Sequence, residues 1–253
     1  RNFMMKKWGI LLLVAGFIVG ACKNDDDDNE LPQDEQNQVD DDAIVEYLED
    51  HYFDPERGLI TEYEDEDEDD DNYPNLRSQG TKLSSGVWVV KREGIEATGD
   101  AVTSNAQDSI LISYDMKKFV ASYDDLADGE TPYSSSLSTL TSTIYTTGTA
   151  NWDITYSSGY SFYYVDITET MQENDITIDN FVIEGLVEGL KHFNTTETNG
   201  ADLYNFQGAI IVPSRAAFGR DYVYSGDYLR NDIYRDTSFI INFELHKIVD
   251  RNN

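Results

Sequence analysis

The 253-residue chain carries 49 acidic against 18 basic side chains, a formal charge of −31, with 17 tyrosines and a single cysteine. A surface this acidic repels phosphate backbones and anionic headgroups, which argues against nucleic-acid binding. One cysteine leaves no disulfide framework; His51, His192 and His246 lie too far apart to show metal-ligand spacing, so each is expected at the surface or half-buried.

In chain order, Arg1-Asn2-Phe3 reads as sequence upstream of an initiator at Met4 or Met5. Lys6 and Lys7 precede an apolar run of 14 residues, 8 through 21, which ends in small Gly20 and Ala21 before Cys22. A basic end, a hydrophobic body and a small-residue cleavage site are the parts of a secretory signal. The body is shorter than the roughly 20 residues that a bilayer span needs. Val19-Gly20-Ala21-Cys22 resembles the lipobox of bacterial lipoproteins. That implies removal of residues 1–21 and a lipid on Cys22 that holds the mature chain to a membrane outside the cytoplasm. The plainer alternative is a signal peptide followed by a free thiol. Losing Arg1, Lys6 and Lys7 takes the charge from −31 to −34.

Residues 22–41 read as an acidic, disordered tether. Within it, Lys23-Asn24-Asp25-Asp26-Asp27-Asp28 resembles the acidic export signal that routes some lipoproteins to the outer face of the outer membrane. A solvated spacer, with the protein on the periplasmic face, is the other reading. A short amphipathic helix is expected from Asp42 to His51, within a unit 42–60. Asp40, Asp41 and Asp42 can cap it; Ile44, Tyr47, Leu48 and Tyr52 form its stripe; Pro55 and Gly58 end it. Residues 61–82 read as an acidic linker. Its run Glu64 to Asp71 lacks the glycine of an EF-hand loop and is a charged spacer with at most diffuse cation association.

From Leu83 the pattern turns to strands, at 87–90, 109–114, 152–156, 160–167, 208–212 and 239–248. Phe239, Ile241, Phe243 and Leu245 alternate with Asn242, Glu244 and His246 on the opposite face. Phe181 to Phe193 is the one helix here, with Val182, Leu186, Leu190 and Phe193 on its stripe. The expected class is α+β, a sheet with one face under a single short helix.

Five collinear segments resemble the FKBP-type peptidyl-prolyl isomerases. Ser85-Gly86-Val87-Trp88-Val89-Val90-Lys91-Arg92-Glu93-Gly94, followed by Gly99-Asp100, is similar to that family's opening strand and turn. Asp108-Ser109-Ile110-Leu111-Ile112-Ser113-Tyr114 matches its "D-x-V-x-V-x-Y" strand. Val182 through Leu190 matches "V-I-x-G-W-x-x-G-L", Val212 through Gly219 matches "I-P-S-x-x-A-Y-G", and Ile240 through Ile248 its closing strand. The resemblance implies an FKBP-like domain over 83–253: an antiparallel half-barrel wrapped on one short helix, with an insertion around 134–178.

Rotation about an X–Pro bond must cross roughly 18–20 kcal/mol. A dry, aromatic-walled hollow favours the twisted amide over the planar one, so no nucleophile, metal or cofactor is required. The resemblance places Tyr114, Val182, Ile183, Leu186, Phe218 and Ile241 in that hollow. The Ile183 N–H would orient a substrate carbonyl, and Tyr133 enters by a one-residue slip in Asp128 to Ser135. Several positions depart from the family. Leu186 stands for a floor tryptophan, Phe218 for a tyrosine whose hydroxyl grips the substrate, and Ile241 for an aromatic; the aspartate of the 128–135 segment is lost. Three functions stay open. One is a membrane-tethered chaperone-like or scaffolding subunit of an outer-membrane export, assembly or gliding-type machine, with weak or lost isomerase activity. Another is an active isomerase serving exported proline-containing clients. The third is a glycan- or nutrient-binding lipoprotein using Trp88, Trp152 and the tyrosines.

Overall fold

The computed structural model describes residues 30–64, 69–102, 109–123, 138–139, 160–162, 169–198, 205–225 and 228–249. The chain divides into compact units 1–31 and 32–253, and every element below lies in the second. The elements in chain order are helix α1 (Gln33–Asp50), the hairpin β1 (His51–Phe53) and β2 (Ile60–Glu62), short helix α2 (Leu76–Gln79), and strands β3 (Gly80–Lys82), β4 (Trp88–Lys91), β5 (Ser109–Val120), β6 (Ser138–Thr139) and β7 (Tyr160–Phe162). Helices α3 (Glu169–Glu173) and α4 (Glu184–Leu190) follow, then β8 (Gly208–Val212), the hairpin β9 (Val223–Ser225) and β10 (Tyr228–Arg230), and β11 (Thr237–Val249). No described helix is long and apolar enough to cross a membrane.

The main sheet is antiparallel with strand order β3-β4-β8-β11-β5-β6, and β7 also pairs with β5. Strand alternation sends one set of side chains inward. Val87, Val89, Ile110, Ile112, Tyr114, Ile210, Val212, Phe239, Ile241, Phe243 and Leu245 form a single core with Leu186, Leu190 and Phe193. The sheet thus wraps one short helix, the α+β arrangement that the resemblance implies.

Helix α4 is only seven residues long, not the 181–193 span that the apolar stripe suggests. Ile183 already has extended backbone at ψ 96°, and beyond Leu190 a turn brings Phe193 edge-on to Phe243 at 4.8 Å. Two glycines one turn apart let the helix settle on β8. A Cβ on Gly185 would lie 2.6 Å from Val212 Cγ1 and 2.8 Å from the Ala216 carbonyl oxygen, and one on Gly189 would lie 2.6 Å from Ile210 Cγ2. Gly185→Ala is therefore expected to overpack the interface and lower stability by about 1–3 kcal/mol, read as a shift in the urea midpoint.

The second face of the sheet is covered too, which the sequence pattern did not announce. Val90, Phe119, Ile211 and Ile240 point away from α4, yet each is at most 2% exposed. Helix α1 supplies the cover with Val39, Ala43, Ile44, Tyr47 and Leu48. Gln36 Nε2 donates to the Ala121 carbonyl at 3.1 Å. The β1–β2 hairpin is tied to the same face through buried Asn242, whose Oδ1 accepts from the Ile60 N–H at 3.1 Å and whose Nδ2 donates to the Gly58 carbonyl at 3.0 Å.

Several expectations need correcting. Helix α1 starts at Gln33, so residues 33–41 are helix and not tether. The reason lies in Asp40: it is no cap but a mid-helix carboxylate, wholly buried and hydrogen-bonded by Gln36 and by the backbone of Ser214. The helix ends where His51 turns extended and begins β1, while Pro55 to Gly58 make the hairpin turn. The described parts of the 61–82 linker are ordered pieces of the domain, and Gly80–Lys82 is the edge strand beside β4. His51 and His246 are buried, because α1 and the segment after α4 close over them; His192 is exposed. The expected strand at 152–156, the signal at 1–21, Cys22 and the acidic run 25–28 lie outside the described residues. Of the 134–178 insertion, β6, β7 and residues 169–178 are described, the last of them opening a 3-10 turn.

Candidate functional site

Five of the seven candidate residues meet in the core between α4 and the sheet: Tyr114, Ile183, Leu186, Phe218 and Ile241. Each has a different element behind it. Ile183 immediately precedes α4 and Leu186 sits in its first turn. Ile241 faces inward from β11, and the register that pairs Phe243 with Tyr114 sets Tyr114 on the same face one step along. Phe218 comes from the turn after β8, where a 3-10 turn at Ser214–Ala216 and the Gly219 N–H to Ser214 carbonyl bond curl the chain back. Phe218 meets Phe239 edge-on at 6.4 Å. Val182 is not brought to this cluster. It packs against Ile176 and Phe181 beside Tyr224 and Leu229, because Ile183 and not Val182 takes the inward place ahead of α4. Tyr133 lies outside the described residues.

The turn that carries Phe218 is held from behind by α1. Ser214 N–H donates to Asp40 Oδ2 at 3.1 Å and to Ser238 Oγ at 3.1 Å. Arg215 Nη2 pairs with Asp41 at 2.8 Å, its Nη1 donates to the Asn37 carbonyl at 3.2 Å, and Lys82 adds a 3.1 Å pair with Asp41. The same guanidinium lies on Gly86, which has φ +94°; a Cβ there would come 2.0 Å from Arg215 Nη2. Only glycine suits that backbone and that approach. Burial pushes the Asp40 carboxyl above its ordinary value, and the bonds from Ser214 and Gln36 offset part of that.

A second constellation escaped the sequence reading. Across the β5–β11 pair, Ser113 Oγ lies 2.7 Å from His246 Nε2, and His246 Nδ1 contacts Thr198 Oγ1 and stands 3.6 Å from Glu244 Oε1. Thr196 and Thr198 donate to Glu244 Oε1 at 2.9 and 3.0 Å, and the Asn205 N–H donates to Oε2 at 2.8 Å. A serine–histidine–acid string can activate a nucleophile. Here Ser113 is 1% exposed, in a central strand, so no carbonyl can reach its Oγ. The string is a buried network that fastens Thr196, Thr198 and Asn205 onto β11. Its only sequence signal was His246 two places after Glu244, at what proves to be a β-bulge.

Burial lowers both buried histidines. His51, stacked on Tyr47 at 3.8 Å with its Nδ1 on the Tyr47 carbonyl, is brought down to about 4, chiefly by desolvation. His246 is lowered for the same reason, against the pull of Glu244. A histidine depressed in the folded state binds its proton more readily when unfolded. Stability is therefore full above the ordinary histidine value and falls as the pH drops from about 6.5 toward 4, by about 3 kcal/mol for His51 alone. Asp40 works in the opposite sense, since its burial cost is relieved by protonation. We expect the urea midpoint to fall between pH 7 and 4.5, and His51→Gln to flatten that fall; an unchanged pH profile in the variant would contradict the assignment.

Among the described residues no group of three or more His, Cys, Asp or Glu side chains is placed to hold a metal ion. No protein-family model matches the chain, and no curated protein matches it. Several solved structures are similar, among them the following two. One is FkpA from Escherichia coli, 16% identical, with 68% of this chain and 52% of that chain covered and a TM-score of 0.31. This chain thus spans about half the length of that one. The other is a peptidyl-prolyl cis-trans isomerase from Pseudomonas syringae pv. tomato, 11% identical, covering 87% and 98% of the two chains with a TM-score of 0.36. Likenesses this distant leave the residues themselves to carry any functional reading.

Proposed function

We propose that this protein is a lipoprotein anchored to the outer membrane through Cys22, facing the cell surface, whose FKBP-type domain is a chaperone-like or scaffolding subunit of an export, assembly or gliding-type machine. Its prolyl isomerase activity is weak or lost. The observation that supports this reading is the state of the candidate hollow: Leu186, Phe218 and Ile241 belong to one buried core, in substituted form and at most 3% exposed. A leucine in place of tryptophan forfeits about 0.5–1.5 kcal/mol of ring packing beyond area. A phenylalanine in place of tyrosine removes a hydrogen bond worth about 0.5–1.5 kcal/mol. Together these are enough to erase most of a modest rate enhancement.

An active isomerase is the second reading. It is favoured by the inward Tyr114 and Ile183, which keep the residue types of the family pattern.

Affinity recovery of the full-length protein from detergent-solubilised membranes tests the first reading. Co-recovery of an outer-membrane partner is expected, and recovery of the protein alone counts against it. Cys22→Ser should move the protein from the membrane to the soluble fraction; retention in the membrane would contradict lipid anchoring.

A further inference from the structure

The Phe218 ring is covered on one side by another ring of the chain itself. Tyr234 stacks on Phe218 with ring centroids 5.6 Å apart and planes 18° apart, and meets Phe239 edge-on at 5.5 Å. Lys118 Nζ sits 5.4 Å from the centre of its ring, and Tyr234 is 8% exposed.

The segment carrying this ring is tied down on the far side of it. Asp236, at φ +50°, donates its N–H to the Gly219 carbonyl at 2.8 Å. The Asp236 carboxylate accepts from Arg220 Nε at 2.9 and 3.1 Å. The residue two places after Tyr234 is thus pinned to the residue next to Phe218, and ring is held on ring. The non-glycine left-handed backbone at Asp236 is a strained conformation kept by these bonds.

Phe218 is where the resemblance places the ring that grips a substrate, and Leu186 leaves more room in the same core than a tryptophan would. Resting on the reading of this cluster as a proline-binding hollow, we propose that Tyr234 is an internal plug. Its ring stands against Phe218 in place of the proline ring of a bound segment, and the resting protein is closed to proline-bearing peptides. A tethered ring is present at an effective concentration of about millimolar or more, so a peptide at micromolar concentration does not displace it. Affinity falls by the fraction of molecules in which the plug is out.

The test measures binding of succinyl-Ala-Phe-Pro-Phe-4-nitroanilide, and of its counterpart with alanine for proline, to the full-length protein. Tyr234→Ala should bind the prolyl peptide about tenfold tighter than wild type or better. Tyr234→Phe should match wild type, and the gain should vanish when Phe218→Leu is added. A Tyr234→Ala protein with wild-type circular dichroism and a cooperative melt, yet no tighter binding, overturns the plug. Should Tyr234→Ala not fold, Tyr234→Leu is held to the same criterion. Wild type binding as tightly as Tyr234→Ala overturns the plug and leaves the proline-binding reading intact. An equal gain for both peptides upholds the plug and rejects proline as its natural competitor.

Discussion

A chain beginning at His51 will not unfold cooperatively, although it retains every segment that resembles the isomerase family. Without α1 the outer side chains Val90, Phe119, Ile211 and Ile240 lose their cover, and Val39, Ile44, Tyr47 and Leu48 are gone from the protein. Burying each such side chain is worth about 1.5–3 kcal/mol, so the sum rivals the roughly 5–15 kcal/mol that stabilises a whole domain. The turn bearing Phe218 would also lose Asp40 and Asp41, which hold Ser214 and Arg215. Urea unfolding followed by circular dichroism, comparing chains that begin at Glu30 and at His51, checks this. A sigmoidal transition of unchanged midpoint in the shorter chain would show that α1 is an appendage.

Phe243→Ala should destabilise by about 3–5 kcal/mol, the range for emptying a fully buried phenylalanine site. Phe243 lies opposite Tyr114 on β5 and beside Gly208 on β8, with Phe193 edge-on at 4.8 Å, so it joins three strands to the turn after α4. Neither Tyr114 nor Phe193, each locked by its own neighbours, can collapse far into the space. Thermal melts of the variant and wild type measure the loss; a change below 1 kcal/mol, the scale of a surface substitution, would mean that the inward face has been misassigned.

Much of the inner face could be read from the sequence. The alternation of Phe239, Ile241, Phe243 and Leu245 marks one side of a strand, and Leu186 and Leu190 mark the apolar stripe of a helix. Both signals are local, and both survive folding unchanged. What escaped the reading depends on partners distant in sequence. Asp40 looks like a helix cap until Ser214, from the other end of the chain, is seen to donate to it. Gly80–Lys82 looks like linker because an edge strand has no meaning before β4 pairs with it. Asn242, Glu244 and His246 look like a wetted face, and their polarity is real. The hairpin, the threonines at 196 and 198 and the Asn205 backbone satisfy it without water. Val182 falls elsewhere because the helix begins at Glu184, three residues after the Phe181 start that the apolar stripe suggests. Within the candidate site, Ile183, Leu186, Phe218 and Ile241 are named by the motif and share one buried core. Tyr234 did not, because nothing in the sequence places it within reach of Phe218 until Asp236 is tied to Gly219.

The most direct measurement is the rate of cis–trans isomerisation of succinyl-Ala-Phe-Pro-Phe-4-nitroanilide by the full-length protein in detergent. A hollow with Leu186 for its floor, no hydroxyl at Phe218 and Tyr234 seated in it predicts a rate indistinguishable from buffer at micromolar protein. Robust turnover by the wild-type protein, abolished by Phe218→Ala, would contradict the account, because the same hollow would then be open and working.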